Sequence, residues 1–416
     1  MLVLNCNFWE ALPWAVVGLW GIYLTLLVLG LRRREFLRSS NQVVLTQGPH
    51  VTFLVAARNE ASCIEICLRS LLTQDYVSFD VIAVNDRSTD ATGAIMNRLE
   101  AEFLGQLRVV HIESLPAGWL GKTHAMHVGS QAAAGEWICH VDADCELLSK
   151  NALSAAMHEA QKRSVDLLSL TPCFTLHSAW EQMTVPVCSS LMVIWFQPSR
   201  VNNPRLATSY ANGAFLMMTR QCLNAVGGWC RFRGQISEDI AMARAVKSTG
   251  LRIAVLQNEG LYRTRMYDSI RDSWNGWSRI FYGALSIKAL TLSTIRLVLC
   301  SIIPTWGLLA WLCYTGLSMS SGTIHWTGAV VAAAIAVLLQ QVYSAMIFRA
   351  VGGRFMWSLT APLGHLVLLG MLGRALLNHG GLATTQWSGA VFRNGKPVTS
   401  ARPRTTALLG RATQAR

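Results

Sequence analysis

Charge is what this chain has least of. Only 14% of its 416 residues are Asp, Glu, Lys or Arg, against about 25% in an ordinary soluble domain. Hydrophobic residues reach 52%, which excludes a disordered chain and disfavours a wholly soluble one. The deficit is uneven. Beyond Asp272 there is no carboxylate at all, yet 12 of the 36 Lys and Arg lie there. A balanced front part is therefore joined to an apolar, basic, acid-free back part. Paired cysteines are missing too. The 11 cysteines are scattered, odd in number and never spaced CxxC. A disulfide framework and a zinc ribbon are excluded, and a reducing compartment is the simpler setting. Cys63 and Cys67, four apart on an expected helix, come nearest to a metal half-site, although packing explains them as well. No repeat of fixed period is visible.

Long apolar runs are present. Leu12–Leu31 carries no charge and is followed at once by Arg32, Arg33 and Arg34; it is long enough to span about 30 Å of hydrocarbon. Charges after the run, not before it, exclude a cleaved signal peptide. The positive-inside tendency puts the arginines and the domain behind them in the cytoplasm, at the inner (plasma) membrane. Leu297–Leu317 and Trp326–Phe348 are two further expected spans. Met356–Leu377 is interrupted by Pro362, His365 and Arg374. It is expected to re-enter or lie at the interface, which leaves the basic end (Arg393, Lys396, Arg402, Arg404, Arg411, Arg416) in the cytoplasm. The expected division is an anchor over 1–34, a catalytic domain over 48–262, an amphipathic interfacial segment over 263–292, membrane or re-entrant helices over 293–377, and a basic tail over 378–416.

Between the apolar runs, short β-like stretches alternate with helical ones. Val51–Ala57, Phe79–Asp86, Leu107–Ile112, Trp137–Asp142, Val165–Thr171 and Ala214–Met218 read as strands. Glu60–Leu72, Thr89–Phe103, Thr123–Ala134 and Asn151–Arg163 read as helices. The rhythm predicts an α/β fold, a mostly parallel, Rossmann-like sheet covered on both faces. Ligands bind such sheets beyond the carboxyl ends of the strands, so the residues there matter most.

Those ends are acidic. The first strand runs into Ala57, Arg58, Asn59 and Glu60. The second ends in Asn85-Asp86-Arg87-Ser88-Thr89-Asp90, and the fourth in Asp142-Ala143-Asp144. Carboxylates gathered on one edge are costly without a cation or a hydrogen-bonding ligand. Helix capping explains Ser88 well and competes for Asp90. Asp142-x-Asp144 after an apolar strand suits a hard divalent cation, Mg²⁺ or Mn²⁺, shared with phosphate oxygens. Lys122 follows Gly121 at an expected helix start, where it can neutralise a diphosphate. A phosphate loop is disfavoured because Pro116 stands where its first glycine belongs.

Further on, Glu238 and Asp239 open the helix Ile240–Thr249. The helix dipole alone favours both carboxylates there, while Asp239 also suits a general base. The glycine-rich stretch 227–234 before them is expected to be a mobile loop. Arginines and aromatics then alternate through Arg263, Arg265, Tyr267, Arg271, Trp274, Trp277 and Arg279. This is an interfacial aromatic belt, or an acceptor floor of Trp274 or Trp277 with an arginine holding phosphate; the two are compatible. The basic excess lies beside membrane spans, so headgroups and not nucleic acid are its expected anions.

Taken in order, Val55–Glu60, Val84–Asp90, Gly121-Lys122, Asp142-Ala143-Asp144 and Glu238-Asp239 resemble the membrane-bound family 2 glycosyltransferases of the GT-A fold. Within that family the chain is similar to the hopene-associated, carotenoid and ceramide glycosyltransferases. Their C-terminal Trp-Lys-Gly-Arg-like motif is only partly matched by Trp387-Ser388-Gly389-Ala390. The resemblance implies an inverting transfer of a single sugar from a nucleotide-diphosphate sugar, a UDP-hexose, to a membrane lipid such as a hopanoid, carotenoid or ceramide. It implies Ala57, Glu60 and Asp86 at the nucleotide, Asp142 beside the donor sugar and Lys122 near the diphosphate. Asp144 would hold Mg²⁺ or Mn²⁺, and Asp239 would deprotonate the acceptor. Glu238, Arg271, Trp274 and Trp277 would contact acceptor or diphosphate. The Gln-x-x-Arg-Trp string of processive synthases is absent, which favours one transfer over polymer extrusion. The alternatives are a polyprenyl-phosphate glycosyltransferase, a non-catalytic scaffold with a degenerate fold, and a membrane NTPase built on Gly121-Lys122-Thr123.

Overall fold

The structure is a computed structural model that describes residues 8–38, 45, 47–317, 328–387, 390–393 and 396–398. Helix α1 (Phe8–Arg32) leads into strand β1 (Phe36–Arg38). Strands and helices then alternate: β2 (Val51–Ala57), α2 (Ile64–Leu72), β3 (Phe79–Asp86), α3 (Thr92–Glu102), β4 (Leu107–Ile112), α4 (Gly121–Ala132), β5 (Trp137–Asp142), β6 (Cys145–Leu147), α5 (Ala152–Arg163) and β7 (Leu167–Thr171). Next come α6 (Ala179–Trp195), the short α7 (Pro198–Val201), β8 (Phe215–Thr219), α8 (Arg220–Ala225), α9 (Glu238–Ser248), β9 (Ile253–Glu259) and β10 (Tyr262–Thr264). The rest is helical: α10 (Ile270–Ala284), α11 (Ile287–Leu297), α12 (Ile303–Leu317), α13 (Gly328–Ala350) and α14 (Ala361–His379), before strands β11 (Thr385–Trp387), β12 (Ala390–Arg393) and β13 (Lys396–Val398).

Eight strands form one sheet in the order β1-β9-β7-β8-β5-β2-β3-β4. All its pairings are parallel except those of β8, which runs antiparallel to β5 and β7. The mixed hand is what a mostly parallel sheet with one reversed strand requires. β2 is buried along nearly its whole length, as a strand covered on both faces must be. One apolar layer packs α2, α3 and α5 on one face of the sheet. A second packs α4, α8 and α9 on the other. Helix α4 comes so close to the sheet that a Cβ at Gly129 would overlap Leu54 Cδ1 and lie 2.9 Å from Val84 Cγ2. Any larger residue there forces those side chains to shift.

Two parts differ from the sequence expectation. The stretch 227–234 is not a loose loop. Trp229 and Phe232 are buried in the second layer, and the Leu120 N–H donates to the Arg233 carbonyl at 2.8 Å. Helix α6 is an element the periodicity did not suggest. Its start is fixed by a capping box, in which Ser178 Oγ accepts the Glu181 N–H and the Glu181 carboxylate accepts the Ser178 N–H. The box was readable as Ser-x-x-Glu; the apolar run behind it is broken by Pro186.

Among the described residues, four helices are long and apolar enough to cross a membrane: Ala11–Arg32, Ile287–Tyr314, Gly328–Ala350 and Phe355–His379. The second of these begins at Ile287, ten residues before the expected start, because α11 and α12 are joined through a π turn at Val298–Ile302. α1 packs along α13, and Trp20 Nε1 donates to the Cys300 carbonyl at 2.7 Å. α14 lies against α6, α10 and α11 in a third apolar cluster. β1, directly behind α1, pairs with β9, so the eight-stranded sheet takes its edge strand from the segment that leaves the first apolar helix. Within the expected basic tail, β11–β13 form an antiparallel sheet. Arg402, Arg404, Arg411 and Arg416 lie outside the described residues, as do Ser388 and Gly389 of the partial C-terminal motif. The ten described cysteines are free thiols.

The Gly129 contact gives a direct check. Gly129→Ala is expected to overpack the α4–sheet layer and to cost about 1–3 kcal/mol, read as a lower thermal midpoint of the detergent-solubilised full chain.

Candidate functional site

A cavity of about 1070 Å³ lies beyond the carboxyl ends of β2, β3 and β5. It reaches the upper end of the size range of small-molecule sites. All eleven residues to which the resemblance gives a role line it. Ala57, Glu60 and Asp86 stand at the β2 and β3 tips; the central group is Lys122, Asp142, Asp144, Glu238 and Asp239; Arg271, Trp274 and Trp277 come from α10.

Two left-handed turns aim the first strand tips. Asn59 (φ 58°) and Arg87 (φ 56°) both carry positive φ, an uncommon state for residues with a side chain. The turns brace each other. Asn59 Oδ1 accepts the Thr89 N–H at 2.8 Å, and Ser88 Oγ accepts the Asn59 N–H at 3.1 Å. Arg87 folds back to grip Asp86 with two hydrogen bonds, at 2.7 and 3.0 Å. Asp90 is taken up structurally: it accepts from the Thr92 and Ala61 N–H groups and does not line the cavity. Glu60 sits above the usual carboxylate range, first through burial and then through nearby Asp142 and Asp90.

Lys122 is the central cation. Its Nζ lies 2.7 Å from Asp142 Oδ1 and 3.0 Å from Glu238 Oε1. Burial alone would lower its pKa, but Asp142 and Glu238 outweigh that and hold it well above the ordinary lysine value. The ammonium therefore ties the β5 tip to the start of α9. Its neighbour Thr123 donates to the Leu120 and Arg233 carbonyls, so the hydroxyl a phosphate loop would use is committed to the backbone.

Two carboxyls are left over. Asp144 is pushed up to about 7 by burial first, then by Asp142 and Glu60. Asp239 is pushed up to about 7 by burial first, then by Glu238, against the pull of Lys122. Asp239 Oδ2 accepts the Gly213 N–H at 3.0 Å, which fixes the carboxyl in the cavity. Among the described residues no group of three or more His, Cys, Asp or Glu is arranged to hold a metal. A single carboxylate with phosphate oxygens suffices for Mg²⁺ or Mn²⁺, however. The charge on Asp144 that its surroundings leave unbalanced fits such an ion. Cys63 and Cys67 are no half-site: Cys63 Sγ donates to Glu60 Oε2 at 3.2 Å, and Cys67 Sγ faces the Asp142 carbonyl at 3.6 Å.

The basic and aromatic segment splits in two. Arg263 pairs with Glu146, and Arg265 with Glu181 and Asp268. These arginines hold β10 and α6 in place. Trp277 is buried, its ring 5.6 Å from Phe281, while Trp274 is half-buried against Gly370 of α14. Sequence reasoning missed the other wall. Met192, Val193 and Phe196 at the end of α6, Tyr210, Asn212 and Arg374 all line the cavity. Phe196 stacks on Tyr210 at 5.3 Å, and Asn212 Nδ2 donates to Tyr210 Oη at 3.2 Å. Only contacts across the fold reveal this wall, apart from the Ser178-x-x-Glu181 signal that opens α6.

Residues at membrane-helix ends also reach the cavity: Arg34 after α1, Ala350 and Val351 at the end of α13, and Thr384 beyond α14. Arg34 Nη1 donates to the Ala350 carbonyl at 3.4 Å. His365, early in α14, meets Gln340, ten residues before the end of α13, or about 15 Å along that helix.

Residues 49–269 match the family described as "Glycosyltransferase like family 2". Over 231 residues the chain is 28% identical to 4,4'-diaponeurosporenoate glycosyltransferase of Staphylococcus aureus (strain MRSA252), covering 55% of this chain and 60% of that protein. The same enzyme of strain USA300 is 27% identical over the same length. The match thus spans 60% of the length of these curated relatives. Among solved structures, the chain is similar to the mannosyltransferase PcManGT from Pyrobaculum calidifontis in complex with GDP-Man and Mn²⁺. The TM-score there is 0.49, identity 17% and coverage 86% of this chain and 99% of that one. It is also similar to S. aureus TarS 1–349 in complex with UDP-GlcNAc, with TM-score 0.39, identity 14% and coverage 82% and 95%.

The raised carboxyls carry a thermodynamic signature. In a carboxyl raised from 3.8 to about 7, the native state binds the extra proton, so its contribution to stability falls as pH climbs between those values. In EDTA at pH 8, Asp144→Asn is therefore expected to melt above the wild type by roughly 2–6 °C. The gap should close by pH 4. Differential scanning calorimetry at the two pH values checks both signs.

Proposed function

The chain belongs to the glycosyltransferase-like family 2, and from that premise we propose that it is a membrane-bound enzyme moving one sugar from a nucleotide-diphosphate sugar to a lipid of the adjoining bilayer. One observation carries this reading. Acidic tips from separate strands and a helix share one cavity with the ends of three apolar helices. A water-soluble donor and a lipid acceptor can meet only in such a place. The relatives named for 4,4'-diaponeurosporenoate support an apolar acceptor; our proposed donor is a UDP-hexose.

In this reading the donor nucleotide lies against Ala57, Glu60 and Asp86, with Arg87 bracing Asp86. Lys122 keeps Asp142 beside the donor sugar and Glu238 beside the base, and it offsets part of their charge. Mg²⁺ or Mn²⁺, when bound, neutralises the charge that gathers on the departing diphosphate, and Asp144 is the residue that would hold it. Asp239 takes the proton from the acceptor hydroxyl as its oxygen attacks the anomeric carbon. With a pKa near 7, it is matched to that task at neutral pH. One displacement inverts the anomeric centre.

The run Arg32–Arg34 supports a cytoplasmic cleft. Ala350, which precedes the last apolar segment, and Thr384, which follows it, both line that cleft. Between them the chain descends far enough for His365 to meet Gln340 and then returns. We read 351–384 as a re-entrant segment, its apolar tip (Phe355, Met356, Leu359) exposed towards lipid. The tail then remains on the side of the cleft.

Radiolabelled UDP-hexose turnover in purified membranes tests the mechanism. Asp239→Asn is expected to lower kcat by about 10²–10⁴-fold while UDP binding persists. Asp144→Asn and EDTA should each abolish turnover, and Mn²⁺ should restore it only after EDTA. For the wild type, kcat/KM should rise with pH through about 7, as Asp239 deprotonates. Full activity of either variant, or a flat acid limb, contradicts the reading; a wild type that binds no UDP with Mn²⁺ is the scaffold.

A further inference from the structure

A cation is lodged deep among the membrane helices. Arg296 lies on α11, inside the apolar span Ile287–Tyr314 and nine residues from its start. Its guanidinium sits over the Tyr23 ring, 4.3 Å from the centroid, and meets Tyr343. Tyr23 stands nine residues before Arg32, and Tyr343 seven before Ala350. Counted from the cleft-side ends of three helices, the group is about 10–14 Å deep. No carboxylate balances it among the described residues. The helices α11 to α14 carry none. On α1 there is only Glu10, thirteen residues before Tyr23, and Glu181 of α6 is taken by Arg265.

A cavity of about 30 Å³ opens at Arg296, room for roughly two waters or the oxygens of one small oxyanion. It shares no lining residue with the cleft. Helix α6 stands between them, with Met192 and Val193 lining the cleft and Leu191 and Ile194 lining this cavity. The polar groups around it are set to donate. Arg296 Nε is buried with no hydrogen-bond partner. Thr305 Oγ1 donates to Gln340 Oε1 at 3.1 Å, which leaves Gln340 Nε2 to donate to His365 Nδ1, also at 3.1 Å. The His365 proton then lies on Nε2, a further donor in the cavity wall. Ser301 and Ser344 also line the cavity, and their hydroxyls make no hydrogen bond among the described residues. The backbone is irregular at the same place. A π turn, Val298–Ile302, begins two residues after Arg296, and it contains Ser301 and the Cys300 carbonyl held by Trp20. Such turns inside α-helices occur mostly where a helix has a function.

An unbalanced cation and unpartnered donors are costly in hydrocarbon. A ligand that only accepts offsets both, and a guanidinium fork matches a phosphate with two parallel hydrogen bonds. We propose that this cavity is a phosphate site of the membrane helices, filled by the phosphate of a bilayer phospholipid that is bound there and is not the sugar acceptor. A free anion would have to enter hydrocarbon unaccompanied. A phospholipid brings its phosphate on acyl chains, and α11 exposes Leu292, Ile295 and Leu299 around Arg296 to receive them. The headgroup dips below its neighbours to meet the arginine, with the bilayer thinned beside α11.

The full chain, purified in maltoside detergent and stripped of lipid, is titrated with dioleoylphosphatidylglycerol or with dioleoylglycerol, which has the same tails and no phosphate. Native mass spectrometry counts the lipid retained. The phospholipid is expected to be held roughly tenfold or more over the diglyceride. Arg296→Gln should erase that preference. Arg296→Lys, which keeps the charge but loses the fork, should fall between. Lys288→Gln, at the exposed start of the same helix, should leave it unchanged, and far-UV circular dichroism reports that the variants are folded. Equal retention of the two lipids by the wild type overturns the proposal without any variant. An equal loss in Lys288→Gln overturns a site at Arg296 and leaves a diffuse surface attraction. Inorganic phosphate that displaces the phospholipid at equal concentration overturns the lipid-borne source. Sugar transfer is no part of the readout, so the result stands apart from the function proposed above.

Discussion

Like charges brought to one edge of a sheet repel, and this molecule depends on one cation that permits it. The Lys122 ammonium bridges Asp142 at the β5 tip and Glu238 at the start of α9. Lys122 and Asp142 are half-buried and Glu238 is buried, so removing the lysine leaves carboxylate charge uncompensated away from bulk water. Lys122 contacts two carboxylates and not four, and its single charge offsets one. Asp144 and Asp239 keep their excess charge and are pushed up to about 7. In the proposed reading that imbalance is used: Asp144 would hold a metal ion, and Asp239 would take a proton near neutral pH.

The second constraint is the union of that edge with the apolar helices. A Rossmann-like domain floating beside the bilayer would have no reason to place α6, α10 and α14 in one apolar cluster. Here β1, directly behind α1, is an edge strand of the sheet. Arg34 is tied to the end of α13, and Arg265 ties β10 and its neighbourhood to Glu181 of α6. The sheet and the membrane set are thereby locked together along one side of the cavity.

Much of the α/β core was legible in advance, for particular reasons. β2, β3 and β5 are apolar runs buried on both faces, ending in polar residues, and their bounds coincide with the expected ones. The Asp142-x-Asp144 and Glu238-Asp239 pairs stood out because charge is scarce in this chain. α6 was lost because its apolar run resembles neither a soluble amphipathic helix nor a span, and Pro186 breaks its periodicity. The stretch 227–234 looked loose from its glycines, yet Trp229 and Phe232 pin it into the core. Tyr210 and Asn212 carry no motif at all; they join the site through a stacked ring and a side-chain hydrogen bond.

Sequence by itself determined the class of fold, the apolar helices and the chemical identity of the strand tips, because these follow from local periodicity and from which residue types stand where a strand ends. It could not decide who neutralises whom. Lys122 might have faced phosphate or solvent; the tertiary structure aims it at two carboxylates far apart in the chain. Nor could it say that arginines beyond α1, on α10 and on α14 share a cavity with Asp144. Hydrophobicity is a property of a segment and is written in its order. Electrostatic coupling is a property of distances, and only the folded chain sets those.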